Sequence, residues 1–171
     1  MNALRILIAA AMSCAALAQP SPDDPVALLR EDAPLYSGRT PSEVARLRAQ
    51  QFTRLAKHGV PPDALPFIVA ELAHGHKPLT IAAAARAAAA AGPAASAAAP
   101  YLLRLLRPAF HDQQLTLDEH GLTSVRIEAV RALESFGASA GDEALAALRE
   151  LADDRGLAAN ELGPVLRAAI D

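Results

Sequence analysis

The sequence predicts an all-α chain, and three observations point there. Ala and Leu dominate a 52% hydrophobic content while aromatics supply only 4%, a balance rich in helix formers and poor in the residues that favour strands. From Pro41 onward apolar side chains recur at the three- and four-residue spacing of an amphipathic helix rather than alternating. Gly and Pro cut the chain into segments of helical length. With 171 residues the chain suits one domain whose apolar core needs no disulfide or metal staple.

The N-terminus reads as an export signal. Asn2 and Arg5 precede an apolar run from Ile6 to Leu17 that ends in Ala16-Leu17-Ala18 before Gln19-Pro20, and small residues three and one before the cut fit cleavage after Ala18. The run is shorter than the roughly 20 residues of a membrane-spanning helix. The longer apolar stretch from Leu79 to Leu106 is broken by Arg86, Pro93, Pro100 and Arg104, so no span is expected. Cys14, the one cysteine, falls inside the signal. The expected location is therefore outside the cytoplasm, in a bacterial periplasm, with a lipoprotein anchored through Cys14 as the alternative.

Residues 19–39 form a proline-rich lead-in with Pro20, Pro22, Pro25 and Pro34, one or two helical turns at Val26 to Arg30, and Leu28, Leu29 and Tyr36 as docking side chains. The helical domain is expected over 40–171. Thr40-Pro41-Ser42-Glu43 is a specific helix start, with a hydroxyl N-cap, proline at the first helical position and a carboxylate three residues on to close a capping box. That helix is predicted from Pro41 to about His58. Val44, Leu47, Phe52 and Leu55 form its buried side, Arg46, Arg48, Gln50 and Arg54 its wet side, and Gly59 its stop. A second helix should follow Pro61-Pro62, with Asp63 as N-cap and Leu65, Ile68, Val69 and Leu72 buried, and end at Gly75; Pro66 is tolerated in its first turn. The short connection makes the two an antiparallel hairpin. Further helices are predicted at Thr80–Ala91, Ser96–Arg107, Ser124–Phe136, Asp142–Ala152 and Ala159–Ile170. Ser139 and Asp142 supply another capping-box spacing.

Self-similarity organises these helices. A shift of 45 residues lays Arg86 on Arg131, Gly92 on Gly137, Leu103 on Leu148 and Leu106 on Leu151; a shift of 34 lays Leu65-Pro66-Phe67-Ile68 on Ala99-Pro100-Tyr101-Leu102. About three hairpins result, with Pro108 to Thr123 as a polar insertion between the second and third. Between Ala82 and Ala99 fourteen of eighteen residues are alanine, so the middle unit should pack closely while burying little area per residue.

The stretch from Ser124-Val125-Arg126-Ile127-Glu128-Ala129-Val130-Arg131-Ala132-Leu133 through Phe136-Gly137 to Leu148-Arg149-Glu150-Leu151 resembles a HEAT repeat of the bacterial armadillo-like kind. The likeness is good there, fair for Leu79 to Arg107 and weak for Pro41 to Gly75. It departs from the family's pattern where the middle unit carries Ala in place of Leu and Val. The resemblance implies a right-handed stack of antiparallel hairpins, closed by a C-terminal helix, that presents a surface to a protein partner. In such a stack each hairpin covers the apolar face its neighbour leaves open.

Few residues suggest chemistry. His74-Gly75-His76 with His111 and His120 are the only candidates for a metal site, but a lone histidine near a helix end more simply offsets the dipole or lies in a turn, and no metal or other cofactor is expected. Asp118 and Glu119 beside the loop histidines lack any spacing to a nucleophile or a phosphate-cradling loop, so no catalytic residue is assigned and the chain is not read as an enzyme. Arg86 and Arg131 occupy matching repeat positions. They either form a ladder that engages a partner's carboxylates or pair locally with an acid such as Glu128 or Glu134. Tyr101 and Phe67 are core wedges, or interface anchors if exposed. The formal charge of −3 with scattered basic residues lacks the footprint of a nucleic-acid binder. The expected function is a non-catalytic exported interaction module, monomeric or weakly oligomeric, that binds a protein; the alternative is a histidine-based metal-binding accessory protein of the cell envelope.

Overall fold

A computed structural model describes residues 24–30, 33–107 and 119–153, with 119–124, 152 and 153 described by their backbone alone. The expected signal segment with Cys14, residues 108–118 with His111, and the helix expected at Ala159–Ile170 lie outside the described residues. What is described is helical, with no strand among those residues. Six α-helices follow in order: α1 Pro41–His58, α2 Leu65–His74, α3 Pro78–Ala91, α4 Ala99–Leu106, α5 Glu119–Phe136 and α6 Asp142–Asp153.

α1 starts and stops where its sequence dictates. The Thr40 hydroxyl accepts from the Glu43 amide at 3.3 Å, and the Glu43 carboxylate accepts from the Thr40 amide at 2.9 Å, closing the capping box. The bond from the Thr40 amide chiefly, and a second that the Thr40 hydroxyl donates to the same carboxylate oxygen at 2.8 Å, hold the Glu43 carboxyl below the usual range. At the other end Gly59 turns the chain at φ 106° and its N–H reaches the Leu55 carbonyl.

Proline decides two of the other starts, those of α3 and α4. The helix expected from Ser96 begins instead at Ala99, after a 3-10 stretch over Gly92–Ala98. An α-helix running from Ser96 would drive the Pro100 ring into the Ser96 carbonyl one turn back, whereas a start at Ala99 leaves Pro100 in the first turn, where no such carbonyl exists. α2 starts at Leu65 with Pro66 in its first turn, but Asp63 lies inside a 3-10 turn, Pro62–Ala64, rather than at the N-cap. α3 starts two residues earlier than predicted because Pro78 takes the first helical position. α5 starts at Glu119 and absorbs the end of the expected insertion. Ser139 falls in the 3-10 turn Gly137–Ala140, which places Asp142 at the first helical position, so the second capping box does not form.

α3 is the centre of the packing. Its closest neighbours are α1 on one side and α5 on the other, with Cα atoms within 8 Å along both seams. Thr80, Ile81, Ala82 to Ala85, Ala87 and Ala88 are all buried, which leaves Leu79, Arg86 and Ala90 as an exposed stripe that buried Ala83 interrupts. A helix apolar nearly all round is one that neighbours enclose, and alanine lets those neighbours approach at the short end of the range of helix separations. The larger side chains come from the flanks: Phe52, Leu55, Ile68, Leu102, Leu133 and Phe136 are each at most 2% exposed. α2 lies against α3 and α4, and α4 against α5 and α6. Each of α2 and α4 approaches the helix that follows it more closely than the one that precedes it. No helix among the described residues is long and apolar enough to cross a membrane.

The described part of the lead-in, residues 24–30 and 33–39, is docked. Val26, Leu29 and Ala33 are buried, the 3-10 turn Ala27–Leu29 lies on α1, and the Tyr36 hydroxyl donates to the Leu28 carbonyl.

Candidate functional site

Two of the arginines singled out by the repeat come together. Arg86 projects from the exposed stripe of α3, while Glu128 and Arg131 stand three residues apart on α5, where one helical turn puts them side by side. Arg86 donates to Glu128 Oε1 through Nη2 at 2.7 Å and through Nε at 3.2 Å. Arg131 Nη1 approaches the same oxygen at 3.5 Å, a charge contact rather than a hydrogen bond. The carboxylate is 8% exposed, whereas the two guanidinium side chains are 46% and 54% exposed. An ionised carboxylate withdrawn that far from water needs a cation and hydrogen bonds, and Arg86 provides both. Each arginine thus pairs with Glu128, as local pairing predicts, and Arg86 does so across the α3–α5 seam.

Tyr101 is engaged elsewhere. It is half-buried against the core, and the Arg104 guanidinium lies 5.8 Å from its ring centroid. Arg104 Nη2 in turn donates to the Ala73 carbonyl at 2.6 Å and the Leu72 carbonyl at 3.3 Å, filling acceptors that the end of α2 leaves open. Phe67 is likewise half-buried.

A third cluster escaped the sequence. Arg48, expected on the wet side of α1, bonds Glu71 Oε2 at 3.1 Å and the Leu29 carbonyl at 3.0 Å, and so ties α1, α2 and the lead-in together. Glu71 is 9% exposed. Its place three residues after buried Ile68 is the one sequence signal that puts it on the inner face. Burial raises the pKa of Tyr36 beside this pair; the Arg48 charge opposes that rise and the Glu71 charge adds to it.

His74 and His76 are exposed at the end of α2, and His58 at the end of α1. His120 lies in α5 with its side chain outside the described residues. Among the described residues no group of three or more His, Cys, Asp or Glu gathers as a metal site would require. Gly75, between the two histidines, has a steric reason to be glycine: a Cβ there would lie 2.4 Å from the Glu71 carbonyl oxygen and 2.7 Å from Glu71 Oε1.

No family model, curated protein or solved structure matches this chain. Its function is therefore argued from its own surface. Of the three clusters, the one on Arg48 and Glu71 is enclosed and the one on Arg104 completes a helix end. The cluster on Glu128 leaves two guanidinium groups half in solvent.

Proposed function

We propose that the chain is a non-catalytic, exported interaction module of the HEAT-like kind, a right-handed stack of helical hairpins that binds a protein partner on its surface. The order of contacts supports the stack. α1, α3 and α5 follow one another in one series, and α2, α4 and α6 in a second, although α2 and α4 each pack on the helix that follows and not on the one expected to be their hairpin partner. The segment before Gln19 supports export.

The observation that carries the binding role is the exposed stripe of α3. Leu79 is 56% exposed and Arg86 46% exposed on a helix otherwise enclosed. An uncovered large apolar side chain and a guanidinium on one ridge suit an interface, where Arg is enriched. Repeat stacks offer such ridges without catalytic residues.

The test is photo-crosslinking in living cells, with a photoreactive amino acid placed in turn at the exposed positions Gln50, Ala90, Arg131 and Ala146. A discrete adduct with one protein, from a contiguous subset of these positions, is expected. Only diffuse products from all four would overturn the reading.

A further inference from the structure

We infer that Arg86 and Arg131 form a two-armed receptor for a carboxylate side chain, and that the partner presents an acidic segment to the α3–α5 seam. The inference rests on the interaction-module reading and names the chemistry of its partner.

The argument is one of charge and donors. Glu128 carries one negative charge, and Arg86 alone neutralises it with two hydrogen bonds to a single oxygen. Arg131 is redundant for that purpose. It approaches the same oxygen without bonding it and stays 54% exposed. The cluster therefore holds one surplus positive charge on a chain whose formal charge is −3. The buried carboxylate also fixes where the two arms stand, because both converge on its Oε1. Arg86 Nη1 and the guanidinium nitrogens of Arg131 other than Nη1 have no hydrogen-bond partner among the described residues and remain to donate to a partner. A planar guanidinium fork matches a carboxylate with paired N–H donors, which an ammonium cannot do. Arg48 and Arg104, by contrast, both direct guanidinium N–H groups to acceptors inside the fold.

The test uses the exported chain from residue 19, titrated at low salt with an acetylated oligo-glutamate peptide, with the Nε–H resonances of the arginines followed by NMR. The Arg86 and Arg131 signals should shift together and saturate. R131A should weaken the peptide about tenfold, the loss expected for one charge-assisted contact, with unchanged circular dichroism. R131K should weaken it as well, since the charge survives but the fork does not; this variant also carries the test should R131A fail to fold. Unmoved Arg86 and Arg131 signals, equal binding by R131A, or the same shifts from sodium sulfate at matched ionic strength would each overturn the inference. A discrete crosslink from Gln50 or Ala146 alongside any of those results would leave the interaction-module reading intact and remove only the acidic-segment claim.

Discussion

Replacing Ala84 with leucine probes the packing on which the fold depends. Ala84 is 0% exposed and lies on a helix whose backbone is closely approached by α1 and α5. Were there room, the added carbons would stabilise the chain by about 0.8 kcal/mol per methylene. Alanine is what lets the neighbours come so close, so the leucine must push a helix away or adopt a strained rotamer, and such insertions cost about 1–3 kcal/mol. For a domain of this size a loss of about 2 kcal/mol lowers Tm by roughly 4–8 °C. Ala90 on the exposed stripe of the same helix is the control: A90L alters intrinsic helix propensity equally and should change stability by less than about 0.5 kcal/mol. Thermal unfolding followed by circular dichroism reads both. If A84L melts at or above the parent temperature, α3 has space beside it and the close-packed seam is wrong.

Three further outcomes follow from the same contacts. G75A should lower stability by about 1–2 kcal/mol in urea unfolding, because the new Cβ meets the Glu71 carbonyl at 2.4 Å; with Gly75 at φ −62° the backbone itself would accept alanine, so a stabilised variant would contradict the contact. R48A should cost about 3 kcal/mol by stranding buried Glu71, while the double change R48M/E71L should cost less than R48A alone; equal losses would mean that the pair is not buried together. Burial raises the Tyr36 pKa, so the folded chain holds the phenolic proton more tightly than the unfolded chain. The stability this gives is complete below about pH 10 and fades as pH rises through the higher folded value. In a Y101F background, phenolate absorbance should titrate above about pH 10, and a midpoint at or below that value would detach Tyr36 from the docked lead-in.

What was legible in the sequence was whatever is encoded locally. Thr40 to Glu43 fixed a helix start because a capping box needs only residues three apart. Gly59, Gly92 and Gly137 marked real ends, each at positive φ. Proline is less plain to read: the clash of Pro100 reaches one turn back, so α4 starts at Ala99 and not at the polar Ser96. Ser139 failed for a similar reason, a spacing match without the backbone geometry. The candidate site was half legible. The repeat picked out Arg86 and Arg131, and Glu128 was named among their acids, yet that both converge on one oxygen depends on how α3 and α5 meet across 42 residues of chain. Arg48 and Glu71 were missed because 23 residues separate them, and an arginine among arginines on α1 looks solvated until a buried acid is found facing it.

The central claim is that α3, rich in alanine and poor in buried area per side chain, is nonetheless the ply that its neighbours close around. Native-state hydrogen exchange, resolved residue by residue, addresses it directly. Amides of Ile81 to Ala88 should be the slowest in the molecule, exchanging only on global unfolding, with the lead-in and α6 opening first. Exchange in Ile81 to Ala88 as fast as in the lead-in, while α1 and α5 stay protected, would show that the molecule holds together without its alanine helix and would contradict the account.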